Sequence, residues 1–208
     1  MNWESFSSRV CEENCSTEFS RDGKISELLS AGKQIHKTFQ RKQECAPKGL
    51  KNGEIENGFH YVDMNCSYWG EAPIFVAEAS CCMILVLVDA QSGRHFASHI
   101  SASSDMKRLP WLSVKTDLQL FFKAVDYDVE RVEQFIFSCT FYKNQPGSFE
   151  QKNVMNLLSS VLSQTQLEKL AEMTYLIQGE NGLRWNPCCS VHLSSANSKN
   201  TLKVSLVS

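Results

Sequence analysis

The chain has 208 residues, of which 42% are hydrophobic. This proportion is normal for a globular domain and excludes global disorder. Lys and Arg together number 21, against 23 Asp and Glu, so the composition does not indicate a phosphate-binding surface and we expect no nucleic-acid partner. The apolar run at residues 79–88 is too short to span a bilayer. We therefore expect a soluble monomer with no membrane span.

Nine cysteines are many for a chain of this length, and an odd number cannot all pair with one another. The first twenty residues are rich in charged side chains and lack the apolar segment of a signal peptide. A reducing compartment such as the cytoplasm is therefore expected, rather than a disulfide framework. No Cys-x2-Cys pair is present, so we predict neither a metal site nor a cofactor.

The first part of the chain, residues 1–58, is polar. It contains one weak amphipathic pattern at residues 24–41, which predicts a helix, and a stretch rich in Gly, Asn and Pro at residues 45–58, which predicts a loop. We therefore describe residues 1–58 as an N-terminal extension and residues 59–208 as the compact domain. The first twenty residues are expected to add little to the core.

From residue 59 onward, apolar patterns follow one another closely. Strands are predicted where short β-branched or aromatic runs lie between turn residues: residues 59–64, 74–78, 82–88, 94–101, 133–142, 183–193 and 201–207. Helices are predicted where apolar residues recur at helical spacing: residues 116–125, 149–162 and 164–173. Strands outnumber helices and form hairpins, so we predict the α+β class, as a mainly antiparallel β-sandwich with peripheral helices.

The most informative segment is the hairpin predicted at residues 82–101. It places a thiol at the start of one strand and two histidines on the returning strand. A cysteine nucleophile needs a base within hydrogen-bonding reach. Directly opposed residues of an antiparallel pair have Cβ atoms about 4.5–5.5 Å apart, which suits such a pair.

The register of this hairpin decides which groups can meet. A turn centred at residues 90–91 pairs Cys82 with His99 on one face. His95 then lies about 13 Å along the strand from Cys82, too far for proton transfer. Cys81 points to the opposite face, but a shift of one residue would bring Cys81 opposite His99. We therefore predict Cys82 and His99 as the reactive pair, with Cys81 and His95 as alternates.

The same residues resemble a known family. Ser80 and Cys82 open the apolar strand, Asp89 ends it, and His99 lies on the return strand. This arrangement, with these spacings after the cysteine, resembles the chemoreceptor glutamine deamidases (CheD). The motif ASCC at residues 79–82 is also similar to the Leu-Ser-Gly-Cys motif of related toxin domains, the catalytic domain of cytotoxic necrotizing factor and the Burkholderia lethal factor.

The resemblance implies a thiol hydrolase that converts a glutamine side chain of a protein substrate to glutamate and releases ammonia. Cys82 would attack the carboxamide and His99 would transfer the proton. Ser80, or a backbone group near residues 59–64, would orient the imidazole or bind the oxyanion. The Ser-rich N-terminal segment, without a signal peptide, also suits a bacterial effector or toxin that acts in the host cytosol.

Two other classes of protein remain open on the sequence. The first is a non-catalytic α+β protein-binding module, an adaptor or inhibitor, in which the hairpin is only core. The second is a thiol protease or transglutaminase-like enzyme that uses the same pair. The solvent access of the Cys82 sulfur and its distance to His99 discriminate between catalysis and binding, because a fully buried thiol favours the binding module.

Overall fold

The computed structural model describes residues 1–10, 15–16, 55–56, 59–72, 74–76, 82–101, 109–138, 149–178, 189–194 and 201–205. The strands in these ranges are β1 Cys15–Ser16, β2 Ile55–Glu56, β3 Phe59–Val62, β4 Ser67–Gly70, β5 Ile74–Val76, β6 Met83–Asp89, β7 His95–Ile100, β8 Val132–Ser138, β9 Thr174–Gln178, β10 Cys189–Ser194 and β11 Thr201–Ser205. The helices are α1 Trp3–Ser7, α2 Leu109–Ala124, α3 Phe149–Ser159 and α4 Gln164–Glu172, and a 3-10 turn covers Val129–Arg131.

The strands form two sheets. The larger has the order β1-β9-β8-β6-β7-β4, and the smaller has the order β11-β10-β5-β3-β2. Both sheets are mixed, because β9 runs parallel to β1 and β8, and β3 runs parallel to β5, while the other neighbours are antiparallel. The predicted α+β class is confirmed, and the arrangement as a β-sandwich stays a prediction.

Strand β6 lies at the centre of the larger sheet. It pairs with β7 on one side and β8 on the other, and all seven of its residues are buried. A strand that is covered on both faces needs apolar side chains at every position rather than at alternate ones. This explains why its sequence, MILVLVD, is a continuous apolar run.

Each face of the larger sheet contributes to its own apolar cluster. The first cluster joins side chains of β6, such as Leu85 and Leu87, to residues of all four helices, among them Phe121 and Leu158. The second cluster joins the other face of β6, including Ile84 and Val86, to side chains of the smaller sheet. Alternate residues of the hairpin therefore pack in different clusters, because successive side chains of a strand point to opposite faces.

The N-terminal residues belong to the core, and the expectation that they add little to it is wrong for residues 1–10. Phe6 is fully buried in the first cluster, and Val10 is also buried there. Asn2 caps helix α1 by accepting a hydrogen bond from the Ser5 amide at 2.8 Å. One short helix presents too few apolar residues to show periodicity. The domain boundary at residue 59 stays a prediction, and the helix predicted at residues 24–41 lies outside the described residues.

Other differences from the predicted elements are local. Helix α2 begins at Leu109, earlier than predicted, with Pro110 in its first turn, where a missing amide hydrogen is tolerated. Strands β4 and β9 are not predicted; β9 follows α4 after a single residue, so no turn residue marks the boundary. No helix within the described ranges is both long and apolar enough to cross a bilayer.

Candidate functional site

The register of the β6–β7 hairpin differs from the predicted one by two residues. Ile84 lies opposite His99, and Val88 lies opposite His95. The last paired residues at the open end are Met83 and Ile100. The prediction that Cys82 lies directly opposite His99 is therefore wrong.

The turn is longer than the predicted one, which is centred at residues 90–91, and this explains the shift in register. The backbone of Asp89 donates a hydrogen bond to the Arg94 carbonyl at 2.8 Å and accepts one from Gly93 at 2.8 Å. The Asp89 carboxylate also accepts from the Gln91 and Ser92 amides, at 3.1 and 3.3 Å. Gly93 has a φ of 74°, a conformation that glycine adopts readily. The turn therefore spans residues 90–93.

A shift by an even number of residues preserves the faces of a strand. Cys82 and His99 accordingly still share the face that lies against the second apolar cluster, which contains Cys82 itself. They are now diagonal neighbours, for which a separation of about 7–8 Å is usual. Both side chains are buried, with 4% of Cys82 and 3% of His99 exposed. The structure thus brings the pair to one face but does not join the two groups.

The imidazole of His99 is an unusual group for a protein interior. In the part of the chain that the structure describes, neither of its ring nitrogens has a hydrogen-bond partner, and both nitrogens are buried. Burial lowers the pKa of His99 to about 4, and the nearby negative charge of Asp63 opposes this shift. The imidazole is therefore neutral at pH 7. Such an unsatisfied polar group is rare in native structures and calls for an explanation.

The segment at residues 63–66 surrounds the backbone of His99. The Asn65 amide donates to the His99 carbonyl at 2.7 Å, and the His99 amide donates to the Cys66 carbonyl at 3.3 Å. Met64 also forms an isolated β-bridge with His99. Burial raises the pKa of the Cys66 thiol, and the charge of Asp63 raises it further. Cys66 is therefore a protonated thiol at neutral pH rather than a second nucleophile.

Sequence reasoning identified this segment only in part. It predicted that a backbone group near residues 59–64 orients the His99 imidazole, whereas the segment bonds the His99 backbone and leaves both ring nitrogens without a partner among the described residues. Asp63 and Asn65 are separated by one residue and lie between two strands, which is a common turn pattern with no specific chemistry. Their connection to His99 depends on the pairing of β4 with β7, which aligns Ser67 with Ser98. No strand is predicted from the sequence at the position of β4, so no local signal identifies the contact.

His95 lies at the other end of β7, and its contacts there are those of a structural residue. Its Nε2 atom lies 2.9 Å from the Ala72 carbonyl and its Nδ1 atom lies 3.3 Å from the Gly93 carbonyl. Burial lowers its pKa, although both hydrogen bonds oppose the shift. Tyr68 packs against it at 5.9 Å between ring centroids and stacks on His60 at 4.4 Å. His95 therefore does not join the Cys82 end of the hairpin.

The remaining predicted positions divide into two groups. Asp89 ends strand β6, as predicted, and its carboxylate forms an ion pair with Arg131 at 2.8 Å. Burial raises its pKa, but hydrogen bonds from Ser92, Arg131 and Gln91 more than offset this, so the pKa lies below its usual value.

Cys81 and Ser80 lie outside the described residues. Among the described side chains, no three His, Cys, Asp or Glu are grouped so that they could hold a metal ion.

No protein-family model matches the chain, and no curated protein is significantly similar to it in sequence. A solved structure, described as the crystal structure of Bacillus licheniformis hypothetical protein YfiH, is similar to it with a TM-score of 0.36 and 8% sequence identity. The similarity covers 79% of this chain and 74% of that chain. A likeness of this degree leaves both fold and function to be argued from the chain's own residues.

Proposed function

We propose that the protein is a thiol hydrolase that deamidates a glutamine side chain of a protein substrate, with Cys82 as nucleophile and His99 as base. The observation that carries this proposal is the neutral, buried imidazole of His99, whose ring nitrogens have no hydrogen-bond partner among the described residues and which shares a face with Cys82. The motif at residues 79–82 and its spacing to His99 resemble the glutamine deamidases and indicate the substrate.

The low pKa of His99 determines the form of the mechanism. A histidine with a pKa of about 4 does not hold a thiolate–imidazolium ion pair at rest. It acts instead as a neutral general base that removes the thiol proton while the sulfur attacks the carboxamide carbon. A diagonal separation of about 7–8 Å is spanned when the two side chains turn toward each other.

The proposed reaction balances without a cofactor. The Cys82 sulfur forms a bond to the carboxamide carbon, and the carbon–nitrogen bond breaks as His99 passes the thiol proton to the departing ammonia. Water then hydrolyses the thioester, which releases a glutamate side chain and restores the thiol. We propose that the protein does this as a monomer in a reducing cytosol, its own or that of a host cell.

A mass measurement tests this function. Lysate proteins from candidate host cells are incubated with the wild-type protein, Cys82→Ser or His99→Ala, and glutamine peptides are scanned for a gain of about 1 Da. Cys66→Ser is the matched control, since it removes a neighbouring thiol with a raised pKa. We expect the gain with wild type and Cys66→Ser, and not with the other two variants. The same peptides modified by all four proteins, or by none, would overturn the proposal.

One observation favours a second function, a non-catalytic protein-binding module. Cys82 and His99 are both buried, and they are not directly opposed in the hairpin. A module of this kind would keep Cys82 as core. Iodoacetamide at pH 6 distinguishes the two functions. A Cys82 whose proton His99 removes during the attack is labelled faster than Cys66, whereas a core Cys82 is labelled more slowly than the half-buried Cys66.

A further inference from the structure

We propose that Asn65 is a positioning residue of this site. This proposal rests on the function proposed above. Its role is to hold the end of strand β7, and with it His99, in place beside Cys82. Asn65 touches neither the proposed nucleophile nor the scissile amide in this role. It acts through the backbone of residues 99–101.

The first evidence is a set of hydrogen bonds that converge on Ser101, the residue after Ile100. The Asn65 side-chain oxygen accepts from the Ser101 amide at 3.1 Å and from the Ser101 hydroxyl at 2.8 Å. The Asn153 side chain of helix α3 donates to the Ser101 carbonyl at 3.0 Å. Ser101 and Asn153 are both buried. Three separate elements are therefore tied together at one point.

The second evidence is the position of that point. The register that pairs Met83 with Ile100 brings Cys82 and Ser101 to the next level of the hairpin. The same Asn65 also donates its backbone amide to the His99 carbonyl at 2.7 Å. Asn65 therefore forms hydrogen bonds to the strand on both sides of Ile100. One side is the proposed base, His99, and the other is Ser101, which lies level with the proposed nucleophile. Met83 and Ile100 are the last β6–β7 pair among the described residues, and the clamp lies directly beyond that pair.

The backbone of Asn65 supports the same role. Its φ is 59°, in the left-handed region that most side chains avoid and that asparagine tolerates. Glycine would fit this conformation but has no side chain to bond Ser101. Asparagine meets both requirements, the left-handed turn and the hydrogen-bond acceptor. A residue held in a sparsely populated conformation at a site is a recognised form of preorganisation.

The experiment separates the side chain from the backbone conformation. Asn65→Gly keeps the left-handed turn and removes the acceptor, while Asn65→Asp keeps an acceptor oxygen of the same reach. Ser92→Ala is the matched control, because it removes a side-chain hydrogen bond at the opposite end of the same hairpin. Deamidation kinetics are measured for all three against wild type, with the protein substrate found by the mass measurement.

We expect Asn65→Gly to lower kcat by about 10- to 100-fold with KM nearly unchanged, since a small misplacement of reacting groups has effects of this order. Asn65→Asp should restore kcat to within about threefold, and Ser92→Ala should leave it unchanged, because neither moves the base relative to the thiol. A kcat for Asn65→Gly equal to that of Ser92→Ala, or a failure of Asn65→Asp to restore it, would overturn the proposal.

A second readout does not need enzymatic activity, so the clamp and the proposed function can fail independently. Amide hydrogen exchange of His99 and Ser101 should accelerate by on the order of tenfold in Asn65→Gly, which corresponds to the loss of one or two net hydrogen bonds. Ser92→Ala should leave these two amides unchanged. Equal exchange in Asn65→Gly and wild type would show that Asn65 does not hold the strand, whatever the activity.

Discussion

The two ends of the β6–β7 hairpin bury a titratable side chain in opposite ways. At the turn end, the Asp89 carboxylate has 3% of its surface exposed and is bonded by two turn amides, by the Ser92 hydroxyl and by Arg131 through two nitrogens. At the open end, His99 is equally buried, and within the described residues its ring nitrogens have no partner. The same two strands thus carry one fully compensated group and one uncompensated group.

On the proposed function, this difference places a stabilising group and a catalytic group at opposite ends of one hairpin. A buried charge that is fully bonded holds its surroundings in one conformation, and breaking the set is costly. A buried polar group without partners costs about 1–3 kcal/mol of stability, so it weakens the fold where it stands. An enzyme that needs a neutral base in a dry site has a reason to keep such a group.

The largest effect should come from breaking the turn end. Arg131→Ala leaves the Asp89 carboxylate buried without its counter-ion, and we expect a loss of about 3 kcal/mol in the free energy of unfolding. Urea denaturation measures the loss. Lys169→Ala is the matched control, because it removes an ion pair with Glu130 in which both side chains are more than half exposed, and it should barely change stability. Similar losses in the two variants would remove the contrast between the ends.

The second prediction uses pH to separate the two ends. The pKa of His99 is about 4 in the folded chain against an ordinary value of 6.5, so the unfolded chain takes up the proton at the higher pH. Stability is therefore fully present above pH 6.5 and falls as the pH drops toward 4, by about 3 kcal/mol for this one group. Asp89 has a lowered pKa, so its contribution is lost only below its ordinary value of 3.8.

Urea denaturation of wild type and His99→Leu at pH 7, 5.5 and 4.5 tests this difference. Both proteins contain His95 and the same carboxylates, so the difference in their pH dependence isolates His99. We expect the leucine variant to lose less stability than wild type across this range. Parallel curves for the two proteins would show that the His99 imidazole is not buried in a neutral form.

The smallest effect should be a gain. At pH 7, His99→Leu replaces an unsatisfied polar group by an apolar one among apolar neighbours, and we expect unfolding to become harder by about 1 kcal/mol. The same variant should have no deamidase activity, since it lacks the base. Thermal unfolding and the mass assay measure the two properties on one preparation. A variant that is both less stable and inactive would identify His99 as a structural residue.

The sequence predicts the middle of the molecule better than its edges. Strand β6 and helices α3 and α4 are found because their apolar patterns are long and unbroken. The register of the hairpin is not predicted from the sequence. It depends on the Asp89 side chain, which accepts hydrogen bonds from two backbone amides of the turn and so makes the turn longer. Side chains of a strand alternate between its faces with a period of two, so a shift of two in register leaves every side chain on the same face. The face of Cys82 is therefore predicted correctly and its partner is not.

The site depends on contacts that the sequence does not encode locally. Asn65 and Ser101 are 36 residues apart, and Ser101 and Asn153 are 52 apart. Each is an ordinary turn or helix residue when read in its own neighbourhood. Only the pairing of β4 with β7, and the packing of α3 beside them, brings these polar groups together. The thiol and the imidazole could be selected from the sequence because cysteine and histidine carry their chemistry with them.

The pairing of β1 with β9 has a consequence for how the chain folds. Cys15 aligns with Leu176, about 160 residues later, and contacts of such separation close slowly because a long loop must be ordered first. Helix α1 likewise packs into the first cluster, which contains Leu158 and Leu170, only after both have been synthesised. During translation, Phe6 therefore stays outside its cluster until these residues have been made, and apolar surface exposed for that time favours aggregation.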